Sequence, residues 1–135
     1  MTEHDEKPCP FCTFVLPEVG RELLQKTGSV VAFEDSYPSA AGHTLIIPRR
    51  HVGRILELTD EEHRDLWQVA RDQLRRLEAA RPDAYTIGVN DGEAAGQTVR
   101  HVHLHLIPRH TGDTSDAKGG VRWVIPETAP YWLAH

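Results

Sequence analysis

The sequence predicts an α+β domain: a mainly antiparallel sheet with a long helix on one face. Three observations carry that expectation. Residues 101–106 read His-Val-His-Leu-His-Leu, and a strand repeats its side-chain direction every two residues. His101, His103 and His105 then share one face, while Val102, Leu104 and Leu106 anchor the other in a core. A helix would scatter the three rings by about 200° per step. Two further apolar runs, 30–34 and 44–48, are split by a Pro/Ser/Ala/Gly loop and read as antiparallel neighbours. Finally, Thr59 and Glu62 have the spacing of a capping box, followed by Leu66, Ala70, Leu74 and Leu77 at helical intervals.

Bulk properties set limits. A chain of 135 residues fits one domain with a real core, and it carries no internal repeat, low-complexity tract or second-domain linker. Its 20 acidic residues outnumber 15 Lys and Arg, for a net charge of -5. That balance disfavours nonspecific nucleic-acid binding. It leaves room for a small anionic substrate, because the local field of a cleft decides that. No apolar run spans a bilayer, so no membrane partner is expected. Met1-Thr2-Glu3-His4-Asp5-Glu6 is acidic and lacks the apolar stretch of a secretory signal, so the expected location is cytoplasmic, with residues 1–8 a flexible N-terminus.

In chain order, Cys9-Pro10-Phe11-Cys12 comes first. Two cysteines this close in a cytoplasmic chain read as metal ligands, a redox pair or two small buried hydrophobes. Phe14, Val15 and Leu16 extend into a short strand, and Glu18 to Gln25 form a short helix or turn ended by Gly28. The strand over 29–34 breaks at Asp35-Ser36-Tyr37-Pro38. Asp35 reads either as a loop-capping residue or as an acceptor for ribose hydroxyls. His43 opens the next strand, beside the histidine face. The basic turn Arg49-Arg50-His51-Val52-Gly53-Arg54 is on composition a solvated patch.

The capped helix covers one face of the sheet, with Trp67 in the core or at a dimer contact, and ends at Arg81-Pro82. A strand over 85–90 pairs with the histidine strand across the loop 91–96, which brings Asn90 near the imidazoles. Gly96-Gln97-Thr98 is an ordinary turn or, beside a face of imidazoles, a phosphate cradle of side-chain donors and close backbone N–H groups. Imidazole titrates near neutrality, attacks as a nucleophile and binds metals. The three histidines therefore read as a catalytic face or as ligands of a catalytic zinc. Residues 111–120 form a loop, and the aromatic tail packs back on the domain or onto a partner.

His101-Val102-His103-Leu104-His105-Leu106-Ile107 follows the pattern His-φ-His-φ-His-φ-φ, with φ apolar. Gly-Gln-Thr-Val precedes it, Ile-Pro-Arg closes it, and Gly42-His43-Thr44-Leu45-Ile46-Ile47-Pro48 lies upstream. On these motifs the chain resembles the histidine triad (HIT) family, in its zinc-bearing bacterial-type branch, with a HIT domain over 9–110 and a C-terminal tail over 111–135. The resemblance implies a HIT-like fold with a five-stranded sheet, and a homodimer. It implies a hydrolase or nucleotidyl transferase acting at the α-phosphate of a nucleotide, of the nucleoside phosphoramidate or dinucleoside polyphosphate class, with a purine nucleotide as substrate. His103 would be the nucleophile that forms a covalent nucleotidyl-histidine. His105, Gln97 and Thr98 would stabilise the phosphoryl oxygens, and His43 would support the site by hydrogen bonding. Asp35 would hold the ribose, and Asn90 would join the nucleotide-binding residues. By likeness to uridylyltransferases of the same superfamily, Cys9, Cys12, His51 and His101 would bind a structural zinc. The alternative implied is a non-catalytic nucleotide-binding or adaptor protein.

Overall fold

The computed structural model describes residues 9–15 and 22–134. The expectations for a flexible 1–8, for Leu16 in a short strand and for the first half of a helix or turn over 18–25 therefore lie outside the described residues; over 22–25 the chain is not helical, and Gln25 begins a strand. Five strands form one sheet: β1 (Gln25–Lys26), β2 (Val30–Glu34), β3 (Thr44–Pro48), β4 (Ala84–Gly88) and β5 (Leu104–Arg109). Their order is β1-β2-β3-β5-β4, and every adjacent pair is antiparallel. One long helix, α1 (Asp60–Leu77), packs on a face.

Alternation along each strand sorts the side chains into two clusters. Val30 and Ala32 of β2, Ile46 of β3, and Leu104 and Leu106 of β5 point to the helix and meet Leu66, Val69, Ala70 and Leu77. Val31 and Phe33 of β2, with Leu45 and Ile47 of β3, point the other way. They are covered by Phe11, Phe14, Val15 and Leu23. Both faces are therefore buried around β2 and β3, and the second face is where the histidines lie. Phe14 and Val15, expected in a short strand, belong instead to a 3₁₀ turn, Cys12–Val15. The turn lets two aromatic rings fold down onto that second face.

The helix forms where its signals place it. The Thr59 side chain accepts from the Glu62 N–H and the Glu62 carboxylate accepts from the Thr59 N–H, closing both halves of the capping box. Burial alone would raise the pKa of Glu62. The Arg50 guanidinium, gripping both its oxygens at 2.9 and 3.2 Å, and the Thr59 N–H more than offset that, so its pKa is lowered. The basic turn is thus clamped to the first turn of α1, and Arg50 is immediately followed by His51. Trp67, expected in the core or at a dimer contact, is 56% exposed, which removes it from the core. The helix gives way to a short 3₁₀ turn, Glu78–Ala80, and Arg81 ends it in the left-handed conformation.

Gly42 fixes the entry to β3. Its φ is +87°, and a Cβ there would lie 3.0 Å from Leu77 and 3.3 Å from Pro108. Pro108 is tolerated inside β5 because β3 pairs with it only through Leu106, so β4 is the sole neighbour at that point. In the tail, the turn Gly120–Val124 lies against β4, and Ala129 is fully buried.

Two substitutions probe this frame. Thr59→Ala removes the cap and is expected to cost about 1 kcal/mol. Leu66→Ala, in the helix-facing core, is expected to cost about 2–5 kcal/mol. Urea unfolding of the metal-loaded protein checks both, and equal losses would contradict the packing described.

Candidate active site and metal centre

The histidine stretch keeps its alternation, but its strand is shorter than expected. β5 begins at Leu104, so His101 and His103 lie outside the ladder. Val102 still points into the helix-facing core and is anchored by its N–H to the Val52 carbonyl, at 2.8 Å. The carbonyl groups freed from pairing accept from side chains instead. The His101 carbonyl receives Nδ1–H of His103 at 2.8 Å. The Pro48 carbonyl, at the end of β3, receives Nε2–H of His101 at 2.8 Å.

These contacts assign the ring protons. His103 carries its proton on Nδ1, so Nε2 keeps a lone pair. His101 carries its proton on Nε2, which leaves the lone pair of Nδ1 for the two cysteine sulfurs at 3.5 and 3.7 Å. His43 accepts from the Ser39 N–H at Nδ1, so its proton is on Nε2, 2.9 Å from Nδ1 of His105. His105 must then accept at Nδ1 and carry its own proton on Nε2. Asp35 approaches Nε2 of His43 at 3.4 Å with one oxygen and caps the Tyr37 N–H with the other. Both sequence readings of Asp35 are therefore compatible with its place.

Burial disfavours imidazolium at all four rings. It lowers the pKa of His43 against the opposing pull of Asp35, and it lowers those of His101 and His103 against their carbonyl partners. At His105, burial and the neighbouring His103 and His43 hold the value down at about 4, with Asp35 opposing. At each ring burial thus favours the neutral form.

His103 and His105 form one side of a pocket of about 510 Å³. Asp35, Thr98 and Val99 stand at its polar end, and Phe11, Phe14, Phe33 and Leu45 make an apolar wall. Phe14 stacks on Phe33 with ring centroids 3.7 Å apart, and Phe11 meets His103 edge-on at 4.9 Å. This wall went unread in the sequence. Its signal was present in the alternation of β2, which turns Phe33 away from Val30 and Ala32, and in the Phe between the two cysteines.

Two expected site residues are placed elsewhere. Gln97 was expected to donate to phosphate. Its amide nitrogen instead donates to the Gly53 and Val99 carbonyls, and its oxygen accepts from the Gly92 N–H. It braces the loop that carries Thr98. Asn90 was expected beside the imidazoles, but β4 ends at Gly88, and Asn90 is exposed and outside the pocket lining.

The second cluster sits behind His103. Cys9, Cys12, His51 and His101 bring four ligand atoms within 4.8 Å of one another. Nδ1 of His51 lies 3.3 Å from the Cys12 sulfur. A tetrahedral zinc with its usual sulfur and nitrogen bond lengths sets each S···N edge at about 3.5 Å. The observed edges of 3.3, 3.5 and 3.7 Å bracket that value. Two sulfurs and two imidazoles fill the shell, which fits a structural zinc. Without an ion, burial and then the neighbouring Cys9 push the Cys12 thiol up to about 11, so a metal must displace its proton.

Asp35, His43 and His105 also bring ligand atoms together, but the Ser39 N–H decides against a metal there. It occupies the lone pair of Nδ1 on His43, so Nε2 needs its proton. Nor do His101, His103 and His105 converge on one catalytic ion: their Nδ1 atoms face the cysteines, a carbonyl and His43 in turn.

Residues 17–112 match the family model of the HIT domain. An uncharacterized HIT-like protein of Methanocaldococcus jannaschii is 36% identical over 112 residues, 83% of this chain and 87% of the relative. An adenosine 5'-monophosphoramidase of Saccharomyces cerevisiae is 37% identical over 122 residues, 89% of this chain and 72% of the relative. Among solved structures, a zinc-bound histidine triad family protein from Mycobacterium smegmatis superposes with a TM-score of 0.70 at 28% identity. That match covers 94% of this chain and 97% of the other.

Two measurements test the site. Zinc should bind one ion per chain and release protons from the thiols, and Cys12→Ser should weaken binding roughly 100-fold or more. Chelator competition reads this, and unchanged affinity would contradict the ligand set. For His105, the folded pKa of about 4 lies below the ordinary 6.5. The unfolded chain therefore binds more protons between those values. Its contribution to stability is complete above pH 6.5 and is lost as pH falls towards 4. Thermal unfolding across that window should show a falling Tm, with a shallower fall in His105→Gln.

Proposed function

The chain belongs to the HIT domain family, and on that premise we propose that it is a nucleotide hydrolase that breaks a bond at the α-phosphate through a nucleotidyl-His103 intermediate. One observation carries the reading. Nδ1–H of His103 is held by the His101 carbonyl, which leaves an unprotonated Nε2 on a ring that lines the pocket. A neutral imidazole with a fixed tautomer is an activated nucleophile. The phosphoramidase relative supports the reaction class.

The nucleoside lies against the wall of Phe11, Phe14, Phe33 and Leu45, and Asp35 accepts from ribose hydroxyls. Thr98 and Nε2–H of His105 donate to the phosphoryl oxygens, where charge builds up in the transition state. Nε2 of His103 forms a bond to phosphorus as the bond to the leaving group breaks. The leaving group departs with that electron pair. Water then cleaves the P–N bond, so one water is consumed overall. A nucleoside monophosphate is released, the leaving group ends protonated, and His103 regains its lone pair. Gln97 contributes by bracing the loop under Thr98, and His43 by fixing the tautomer of His105. Cys9, Cys12, His51 and His101 would hold zinc, which would supply rigidity to the stretch that carries His103 and no chemistry to the step. The leaving group is an amine or a polyphosphate, since both follow the same displacement. The reading includes a homodimer, supported by the exposed Trp67 and by β4 at a sheet edge.

His103→Asn should lower the release of adenosine 5'-monophosphate from an adenosine phosphoramidate and from a diadenosine polyphosphate by roughly 10⁴-fold. His105→Asn should cost roughly 10²-fold through lost charge stabilisation. Undiminished turnover in the first variant would remove the nucleophile. Binding without turnover of either substrate by the wild type would favour the adaptor reading.

A further inference from the structure

The metal cluster and the pocket share one short segment. Phe11 lies between the two cysteine ligands, and it is also the residue that meets His103 edge-on at 4.9 Å. Its ring lies 6.2 Å from that of His101, a third ligand, and 5.8 Å from that of Phe33. Pro10 and Phe11, the whole interval between the cysteines, both line the pocket, as do Thr13 and Phe14 just beyond.

The segment has little regular structure of its own. The Cys12 N–H bonds to the Cys9 carbonyl, the Phe14 N–H bonds to the Phe11 carbonyl, and the Thr13 hydroxyl donates to the Pro10 carbonyl. These bonds close the turn on itself. It is tied to the rest of the molecule by the sulfurs facing His51 and His101 and by the packing of Phe11 and Phe14 on the sheet. His51 is exposed, so the ligand set reaches solvent on one side and the nucleotide pocket on the other.

We propose that the metal knuckle is the moving wall of the nucleotide pocket: metal bound at Cys9, Cys12, His51 and His101 seats Phe11 against His103, so metal occupancy sets the affinity for a nucleoside monophosphate. Phe11 is a positioning residue in this scheme. With metal bound, two bonds fix the backbone on either side of it. With metal absent, those two bonds are lost, and the pocket loses a preformed wall. The inference rests on the nucleotide reading of the pocket and adds a control to it. Thermodynamic linkage makes the coupling reciprocal: whatever factor metal adds to nucleotide affinity, nucleotide adds to metal affinity.

The reciprocal effect supplies a test that does not depend on turnover. The folded, zinc-loaded protein is titrated with a chelator in the absence and presence of saturating adenosine 5'-monophosphate, and its affinity for that nucleotide is measured by calorimetry before and after zinc removal. The expected result is nucleotide binding at least tenfold weaker without zinc and restored on reloading, with zinc held at least tenfold more tightly when nucleotide is bound. Phe11→Ala keeps all four ligands. It should bind one zinc as the wild type does, bind the nucleotide at least tenfold more weakly, and show no reciprocal effect, while Phe11→Tyr restores the coupling. Zinc affinity indifferent to nucleotide, or a Phe11→Ala protein that binds nucleotide as the wild type does, would overturn the coupling and leave the hydrolase reading intact. A zinc-loaded wild type that binds no nucleotide would overturn both. If zinc removal unfolds the chain, the chelator competition and the Phe11→Ala measurements decide the matter on loaded protein.

Discussion

The site depends on where the β5 ladder stops. A backbone carbonyl inside a sheet accepts from the neighbouring strand and has no directed role left for a side chain. β3 and β5 pair only from Thr44–Leu106 to Ile46–Leu104. Beyond that limit the Pro48 and His101 carbonyls face ring nitrogens, and each fixes one imidazole proton. Extending the ladder by two residues would pair the Pro48 carbonyl with the opposite strand, and His101 would lose the contact that points Nδ1 at the cysteines. The apolar partners Val102, Leu104 and Leu106 make this stop stable. All three are buried on the helix face, so the chain keeps its register after its pairing ends.

That constraint separates two clusters that look alike by composition. Both gather histidines with anionic groups within ligand distance. At the cysteine cluster the backbone takes the proton side of His101 and leaves a lone pair facing two thiols. At the Asp35 cluster the Ser39 N–H takes the lone pair of His43 and leaves a proton facing His105. A single amide or carbonyl, placed by a turn, therefore decides between a metal ligand and a hydrogen-bond donor. The donor role passes through His105 to the pocket, where a proton on Nε2 suits an anionic phosphoryl group.

Much of this was legible in the residues. Period-two alternation identified the apolar face of the histidine stretch, and the capping box placed the start of α1 at Thr59. The cysteine spacing, taken with the family resemblance, selected His51 and His101 as co-ligands, and the structure brings them together. What the sequence hid was set by backbone geometry. Alternation says which way a side chain points, not whether the backbone beneath it is paired, so the short β5 could not be read from it. Gln97 has the same donors whether they meet phosphate or three backbone groups, and only the path of the loop over 92–99 decides. Asn90 lies beyond the end of β4 and outside the pocket lining, because a hairpin expectation fixes pairing but not where the strand frays. Trp67 stands outside the core because its spacing on α1 places it beside the apolar stripe rather than within it.

The four-ligand cluster of Cys9, Cys12, His51 and His101 follows from the same accounting of ring nitrogens. A catalytic ion needs an open coordination position, and four side-chain ligands here leave none. An ion beside Nε2 of His103 would also occupy the lone pair that the His101 carbonyl leaves free on that ring. A metal held one alternation step back, at His101, would stiffen the same stretch of chain without touching that atom. The exchange between His101 and His103 is a matter of which ring nitrogen the backbone holds: Nε2 in the first, Nδ1 in the second. Two histidines separated by one valine thereby hold opposite tautomers, although nothing in their residue type distinguishes them.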